Sequence, residues 1–274
     1  KRIVFLWIKI QRMEVTAKTL RFGIMVDAMR VERWQAETIK LLIDNGIELS
    51  LIIRNEEKSE KVGWFKKLWH YPYRRMFFQV WNHYFFKPAC KKLVALSDYF
   101  DTEKVTLLPC QPQHLGISTY LSNHDVEIVQ EQQLDFILRF GFNIIGGEIL
   151  QAARYGVWSF HHDDEMEYRG APPGFWEFMQ DNPVNGIILQ RLTESLDKGI
   201  ILKKEYYPTL LHSYKAHLNQ LYFESETMPM QVCREIFRTG GVFETESHSE
   251  APLYRAPKNG KMLKYWLLCL TRRL

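Results

Sequence analysis

The apolar positions near the start of the chain change from a strand period to a helix period and back. Residues 21–27, RFGIMVD, form a short apolar run that predicts a buried β-strand. Apolar side chains then recur on one helical face from Val31 to Leu42, and Gly46 stands where a helix C-terminal cap belongs. Residues 47–55, IELSLIIRN, predict a second strand. This β-α-β opening predicts an α/β fold with a mostly parallel sheet and right-handed crossovers.

The strand pattern resumes after an interruption. Apolar runs predict five further strands, at residues 104–110, 134–140, 156–160, 185–192 and 199–207. The last two are long and are joined by a polar turn, so we expect them to pair. A short helix is predicted over residues 146–156, between two of the strands.

From residue 209 onward the apolar period is helical, and the chain ends in a basic amphipathic stretch. We therefore expect three parts: an N-terminal arm at 1–20, an α/β domain at 21–208, and a C-terminal helical extension at 209–274. The α/β domain carries an insert at 57–98, which interrupts the strand pattern.

The insert combines basic and aromatic residues. From Lys58 to Lys92 there are nine Lys and Arg and one acidic residue, so the segment carries 9 − 1 = +8, against +4 for the whole chain. Such interleaving suits phosphate-bearing or membrane-surface partners. The alternative is a helical hairpin whose aromatic residues pack on the body of the protein while its cations face water.

Composition describes a globular chain with an excess of aromatic residues. The 274 residues are 46% hydrophobic, 25% charged and 14% aromatic. A chain of this length and hydrophobic fraction can form a full hydrophobic core. The four cysteines lie far apart and form no C-x-x-C pair, which fits reduced thiols and disfavours a zinc ribbon. No run approaches the roughly 20 apolar residues that span a bilayer, and the start of the chain lacks a signal-peptide cleavage site. We expect a cytoplasmic protein, with contact to a membrane surface as an open alternative.

Residues 156–179, GVWSFHHDDEMEYRGAPPGFWEFM, place His161 directly after a predicted strand. In open α/β sheets ligands bind at the C-terminal ends of strands, so chemistry is expected there. The consecutive residues HHDD point alternately to opposite faces of an extended chain, so we expect no metal ion. The chain has no G-x-S-x-G elbow, Walker pattern or G-x-G-x-x-G turn. What remains is a strand-end histidine with a distant acid, for which Asp197 is the best candidate.

Three segments in order carry a resemblance to a known family. Residues 156–178 resemble the formyltransferase pattern G-V-x-N-x-H-P-S-L-L-P-x-Y-R-G-x-x-P without a gap, so that His161 falls on the family's histidine. Residues 185–202, NGIILQRLTESLDKGIIL, resemble its G-x-T-x-H and D-x-G-x-I-L segments, and Asp197 falls on the aspartate. Residues 134–150, LDFILRFGFNIIGGEIL, resemble the strand and loop that hold the folate. The resemblance implies a Rossmann-like formyltransferase fold.

The resemblance also implies a reaction: formyl transfer from 10-formyltetrahydrofolate to an amine. It implies that His161 stabilises the oxyanion and that Asp197 orients the histidine or accepts the amine proton through water. Its predicted site residues are catalytic His161, Asp197 and Ser159; folate-binding Leu138, Phe142, Asn143, Ile144 and Ile145; and substrate-binding Arg169 and Gly170.

The chain departs from the family at several positions. Ser159 replaces the family's asparagine, and we expect its hydroxyl to donate to the oxyanion directly or through water, or His162 to help. Gln190 replaces a histidine, and residues 162–166, HDDEM, replace an apolar loop. These changes keep two alternatives open: a hydrolase that releases formate from the folate, and a non-catalytic binding module that uses the insert as its working surface.

The acceptor is predicted to be a small-molecule or carrier-linked amine. The 274 − 241 = 33 residues after Gly241 are too few for the further β-barrel domain that transfer to initiator tRNA would resemble, so tRNA is disfavoured. An amino sugar on a nucleotide or lipid diphosphate fits better. Its phosphates would meet cations of the insert, with Lys66, Arg74 and Arg75 as the predicted contacts.

Overall fold

The computed structural model describes residues 19–57, 73–194, 199–246 and 249–272. The strands are β1 (Arg21–Val26), β2 (Arg30–Glu32), β3 (Glu48–Asn55), β4 (Leu93–Ala95), β5 (Thr106–Cys110), β6 (Gln113–Leu115), β7 (Ser118–Tyr120), β8 (Phe136–Arg139), β9 (Ile144–Ile145), β10 (Val157–His161), β11 (Arg169–Gly170), β12 (Val184–Arg191), β13 (Ile200–Pro208), β14 (Thr245–Glu246) and β15 (Leu253–Tyr254). The α-helices are α1 (Arg33–Asp44), α2 (Met76–Val80), α3 (Asn123–Glu131), α4 (Phe175–Met179), α5 (Tyr214–Ser225), α6 (Met228–Thr239) and α7 (Asn259–Thr271). A π-helical turn, Trp81–Phe85, follows α2. The 3-10 turns are Tyr73–Arg75, Ala89–Lys91, Leu96–Asp98, Thr102–Lys104 and Glu148–Gln151.

The central sheet confirms the predicted α/β class. Among the described residues it has eight strands in the order β14-β13-β12-β10-β8-β1-β3-β5. The strands from β10 to β5 are parallel, while β12, β13 and β14 add antiparallel pairs at the other edge. The predicted β-α-β opening is β1, α1 and β3, and the predicted long pair is β12 with β13.

Aromatic stacking fixes the middle of this sheet. The Phe136 ring lies 5.4 Å from that of Phe22 on β1 and 4.0 Å from that of Trp158 on β10, with both pairs stacked. All three residues are fully buried, as are Leu221 of α5 and Met228 of α6, which belong to the same core cluster. The core therefore runs across residue 208, where the division into a domain and an extension is predicted.

The structure corrects the predicted helix at residues 146–156 and describes only part of the insert. Residues 146–156 do not form the expected α-helix but a 3-10 turn at Glu148–Gln151, because Gly147 (φ +83°) and Gly156 (φ +70°) adopt left-handed conformations at either end. In the insert, the described residues 73–98 combine short helical turns with strand β4, and its residues 58–72 lie outside the described part.

The predicted C-terminal helix is α7. No helix in the described ranges is long and apolar enough to cross a bilayer.

Candidate active site

The carboxyl ends of β1, β3 and β8 meet around Asp27. Its Oδ1 atom accepts hydrogen bonds from the Phe142 backbone N–H (2.9 Å) and from Asn55 Nδ2 (3.2 Å). Gly141 lies so close that an added Cβ would stand 2.7 Å from the Asp27 backbone nitrogen, so only glycine fits. The loop after β8 is thereby held against β1, at the edge of the sheet where parallel α/β folds bind ligands.

Strand alternation separates the two histidines of the motif. Trp158, Phe160 and His162 point toward α1, and the rings of Phe160 and His162 lie 5.1 and 5.2 Å from that of Trp34. Because successive side chains of a strand point to opposite faces, Ser159 and His161 face the other side of the sheet. Ser159 is buried and His161 is 27% exposed at the side chain. The geometry thus separates His161, which shares a face with Ser159, from His162.

Arg139, the last residue of β8, reaches across to Ser159. Its Nη2 atom donates a 2.7 Å hydrogen bond to Ser159 Oγ, and its Nη1 atom donates to the backbone oxygen atoms of Gly141 (3.4 Å) and Asn143. The Nε atom is shielded from solvent and has no hydrogen-bond partner in the described part of the chain. Burial lowers the pKa of Arg139, opposed by the charge of Asp27, but a guanidinium stays cationic in proteins.

Two cavities meet at Arg139. The first, of about 200 Å³, is lined by Ser118, Tyr120, Arg139, Asn143, Ile144, Ile145, Gly146, Gln190, Leu192, Thr193, Glu194 and Gly199. The second, of about 270 Å³, is lined by Glu32, Trp34, Gln35, Lys91, Arg139, Phe140, Ser159, Phe160, His162 and Tyr222. The Arg139 guanidinium therefore offers one positive charge to both cavities.

The predicted folate residues divide into two groups. Asn143, Ile144 and Ile145 line the first cavity together with Gln190, whose Cα pairs with that of Ser159 in the sheet. Leu138 and Phe142 are buried in the hydrophobic core, so their side chains face away from the cavity. Phe142 (φ +66°) and Asn143 (φ +51°) both adopt left-handed backbone conformations, which turn the chain toward this cavity.

The predicted acid, Asp197, lies outside the described residues, and the structure places another carboxyl beside His161. Asp163 Oδ2 is 3.9 Å from His161 Nε2, and Asp163 Oδ1 accepts a 2.7 Å hydrogen bond from the Gly174 backbone N–H. Asp163 is buried, and burial together with the charge of Glu177 raises its pKa well above the usual range. Sequence reasoning assigned Asp163 to a polar loop and missed this contact.

Glu177 forms the second half of this buried acid pair. The residue lies on α4, is 0% exposed, and burial is the main reason that its pKa is raised to about 7. The folded protein therefore keeps a proton on Glu177 in a pH range where the unfolded chain releases it.

Replacing Glu177 with glutamine is expected to stabilise the protein at neutral and alkaline pH only. The stability that the protonated acid contributes is complete below its unfolded pKa of 4.5 and is lost as the pH rises through about 7. Glutamine stays neutral, so the variant should gain roughly 1–3 kcal/mol at about pH 8 and little at about pH 4. Urea unfolding at both pH values measures this, with the exposed Glu131→Gln as control. An equal gain at both pH values would contradict the assignment.

The other polar residues of the motif, His162, Asp164 and Glu165, contact neighbouring side chains of the protein. His162 stacks on Tyr222 with ring centroids 3.9 Å apart, its Nε2 lies 3.1 Å from Ser225 Oγ, and burial lowers its pKa well below the usual value. Lys204 Nζ forms ion pairs with Asp164 (2.7 Å) and Glu165 (2.9 Å). Among the residues that the structure describes, no group of His, Cys, Asp and Glu is arranged to hold a metal ion.

The predicted substrate residues lie apart from these cavities. Arg169 and Gly170 form β11, which pairs with β15, and Arg169 Nη1 donates a 3.2 Å hydrogen bond to Ser249 O. Gly170 (φ +109°) would place a Cβ 2.0 Å from Tyr254 O, so the strand pair requires glycine there.

The insert residues predicted to contact phosphate are only partly described. Arg74 lines a separate cavity with Tyr73, Lys258, Asn259 and Gly260. Arg75 lies in the adjoining 3-10 turn, and Lys66 lies outside the described residues. The cation of the insert that the structure brings to the Ser159 cavity is Lys91, which the sequence did not distinguish from its neighbours.

Comparisons with known proteins agree with this architecture. No protein-family model matches the chain. Over 72 residues it is 31% identical to the methionyl-tRNA formyltransferase of Prochlorococcus marinus (strain MIT 9215), a match that covers 26% of this chain and 22% of that relative. The match thus spans about a fifth of that relative's length.

Solved structures of low sequence identity share the fold. The N-formyltransferase from Helicobacter canadensis, in complex with folinic acid and dTDP-3-aminofucose, matches with a TM-score of 0.52 at 10% identity over 86% of this chain and 71% of that chain. The sugar N-formyltransferase from Shewanella sp. FDAARGOS_354 matches with a TM-score of 0.51 at 10% identity over 86% and 76%. The chain has the formyltransferase fold, and the resemblance of its motifs is confirmed at that level.

Proposed function

We propose that this protein transfers a formyl group from 10-formyltetrahydrofolate to the amine of an amino sugar carried on a nucleotide or lipid diphosphate. One observation carries the proposal. The Arg139–Ser159 hydrogen bond of 2.7 Å lies at the carboxyl ends of strands in a formyltransferase fold, and Arg139 lines both a cavity that contains Gln190 and a second cavity that contains Ser159 and His162. Two substrates, one in each cavity, would meet at Arg139, and His161 lies on the same side of the sheet as Ser159.

The first cavity suits the folate donor. The polar residues Ser118, Asn143 and Gln190 line this cavity, and Ile144 and Ile145 offer apolar contact to a flat heterocycle. Arg139 lines this cavity and supplies the positive charge of its guanidinium to it. Bound there, the folate would supply an activated formyl group. Leu138 and Phe142, also predicted for this role, would support the loop from the core.

Arg139 compensates for the exchange of the family's asparagine for Ser159. As an amine attacks the formyl carbon, negative charge develops on the formyl oxygen, and donors fixed beforehand stabilise it most. The guanidinium and the imidazole of His161 would donate to that oxygen. Because Arg139 already donates to Ser159 Oγ, the serine hydroxyl hydrogen is left to donate as well. His162 is excluded from this role by its stacking on the opposite face.

The proton that the amine loses must end on the nitrogen that leaves the formyl carbon. We assign its acceptance to Asp197, directly or through water, as the family resemblance implies. Asp163 would hold the His161 ring from behind, since its Oδ2 lies 3.9 Å from His161 Nε2. Burial and the charge of Glu177 raise its pKa, which favours its protonated form, so its proposed role is to orient the ring and not to accept the amine proton.

The second cavity suits a sugar that carries phosphate. Trp34 and Tyr222 provide aromatic surface, and Lys91 Nζ lies 5.1 Å from the centroid of the Tyr222 ring. Aromatic rings stack on sugars, and a lysine beside them can pair with a phosphate. Glu32 places a carboxylate in the same cavity. We propose Lys66, Arg74, Arg75, Arg169 and Gly170 as outer contacts of the carrier.

Donor binding is expected to stabilise the folded protein. A non-reactive 5-formyltetrahydrofolate at about 100 times its dissociation constant should add roughly 2.7 kcal/mol to the free energy of unfolding. Thermal unfolding with and without the folate measures the shift, and the variant Ile144→Asp, which places a charge in the first cavity, should lose it. No shift for the native protein at millimolar folate would remove the donor from the proposal.

A further inference from the structure

The C-terminal helix α7 is apolar on both of its faces. Met262 and Tyr265 are buried against the protein, as expected for a docked helix. On the outer face Leu263, Leu267 and Leu270 are 55%, 61% and 65% exposed, at a spacing that aligns them in one stripe. A helix of a globular protein normally turns polar residues outward, so a second apolar stripe indicates that this face meets a further apolar phase.

A second element packs beside α7 and adds to this apolar surface. Asn259 Oδ1 accepts from the Phe77 N–H (3.1 Å), Asn259 Nδ2 donates to Tyr73 O (2.9 Å), and the rings of Phe77 and Trp266 lie 5.7 Å apart. The exposed side chains that this element contributes are Tyr73, Met76, Val80, Tyr84 and Phe85. We call the exposed side chains of residues 73–87 and of α7 the C-terminal surface.

The two segments that form this surface carry charge of one sign, and one of their cations, Arg272, is paired with Asp181. Residues 73–97 and 251–272 contain no Asp or Glu, and their cations are Arg74, Arg75, Lys87, Lys91, Lys92, Arg255, Lys258, Lys261, Lys264 and Arg272. Lys261 and Lys264 are exposed, and Lys264 lies beside the leucine stripe because it precedes Leu267 by three residues. Leucine and aromatic side chains edged by lysine and arginine are the composition of helices that lie in the headgroup layer of an anionic membrane.

We propose that the C-terminal surface binds the face of an anionic lipid bilayer, with the leucine stripe entering the headgroup layer and the cations pairing with lipid phosphates. A second copy of the chain is a poorer occupant, because a two-fold contact would set the same cations against each other. The proposal stands independently of formyl transfer.

Sedimentation of the full chain with vesicles tests the proposal. The protein should sediment with vesicles of 30% phosphatidylglycerol in phosphatidylcholine and much less with phosphatidylcholine alone. Replacing Leu263, Leu267 and Leu270 together with glutamine should lower the apparent partition coefficient at least about tenfold, because the apolar contact is lost. Lys261→Glu with Lys264→Glu should lower it roughly fivefold or more per lysine, and this loss should shrink as salt rises.

Matched controls separate the outcomes. The double variant Leu115→Gln with Ile117→Gln changes equally exposed aliphatic residues on another part of the molecule and should sediment like the native protein. Circular dichroism checks that each variant is folded. If the leucine variant does not fold, the double lysine variant alone tests vesicle binding. The proposal is overturned if the native protein does not bind anionic vesicles, or if neither set of changes weakens binding. It is also overturned if ultracentrifugation shows leucine-dependent self-association without vesicle binding.

Discussion

Replacing His161 with alanine is expected to lower kcat for formyl transfer by about 10²- to 10³-fold, the usual cost of removing one oxyanion donor. The histidine lies at the end of β10 on the face of Ser159, and its Nε2 is 3.9 Å from Asp163. The folate affinity should change little, because the first cavity does not include His161 among its lining residues. Steady-state kinetics measure the change in kcat and KM, and calorimetry measures the folate affinity separately.

The adjacent histidine provides the matched control. His162→Phe keeps an aromatic ring that stacks on Tyr222 and meets Trp34 edge-on, and it should retain far more activity than His161→Ala. Thermal unfolding should be recorded for both variants, since His162 is buried. If the His162 variant loses turnover and the His161 variant keeps it, the assignment is shifted by one residue and the role of His161 fails.

Replacing Arg139 with methionine is expected to have a comparable effect, a loss of about 10²-fold or more in kcat. Methionine keeps the length of the side chain but removes the hydrogen bond to Ser159 and the charge shared by the two cavities. The protein should stay folded, because the guanidinium is partly desolvated and its loss removes an electrostatic cost. Kinetics of both substrates, with melting curves, measure the result.

Two further substitutions make the role of Arg139 specific. Arg139→Lys keeps a charge but loses the planar fork, so it should restore only part of the activity. Arg154→Met, which removes a 54% exposed arginine paired with Asp135 at 3.8 Å, should behave like the native protein. An Arg139→Met enzyme with native kcat would show that Ser159 and His161 act without the guanidinium.

The fold was predictable where the apolar period is regular. The change from strand to helix to strand between residues 21 and 55 corresponds to β1, α1 and β3, because burial on the sheet and on one helix face dictates those patterns. The 3-10 turn at Glu148–Gln151 escaped prediction, since Gly147 just before it and Gly156 further along adopt backbone conformations that the apolar pattern does not report. The two-residue strand β14 is polar, so its pairing with β13 depends on tertiary contact alone.

The sequence predicts the motif residues of the candidate site but not the residues that the structure adds to it. The gapless register assigned His161 and Ser159, and strand alternation explains why the neighbouring His162 differs. Arg139 was missed, although an arginine closing the apolar strand LDFILR is a visible signal of a buried charge. Asp163 and Lys91 could not be assigned, because their contacts depend on loops folded against α4 and α5 that no local pattern encodes.

The central claim is that the formyl carbon passes from the folate to an amine. The most direct measurement incubates the protein with 10-formyltetrahydrofolate labelled with ¹³C in the formyl group and with a nucleotide-linked amino sugar, followed by mass spectrometry of the products. We predict a labelled N-formyl sugar in amounts equal to the tetrahydrofolate released, and none with His161→Ala on the same time scale. Labelled formate at a rate independent of the amino sugar, or no consumption of the folate, would contradict the claim.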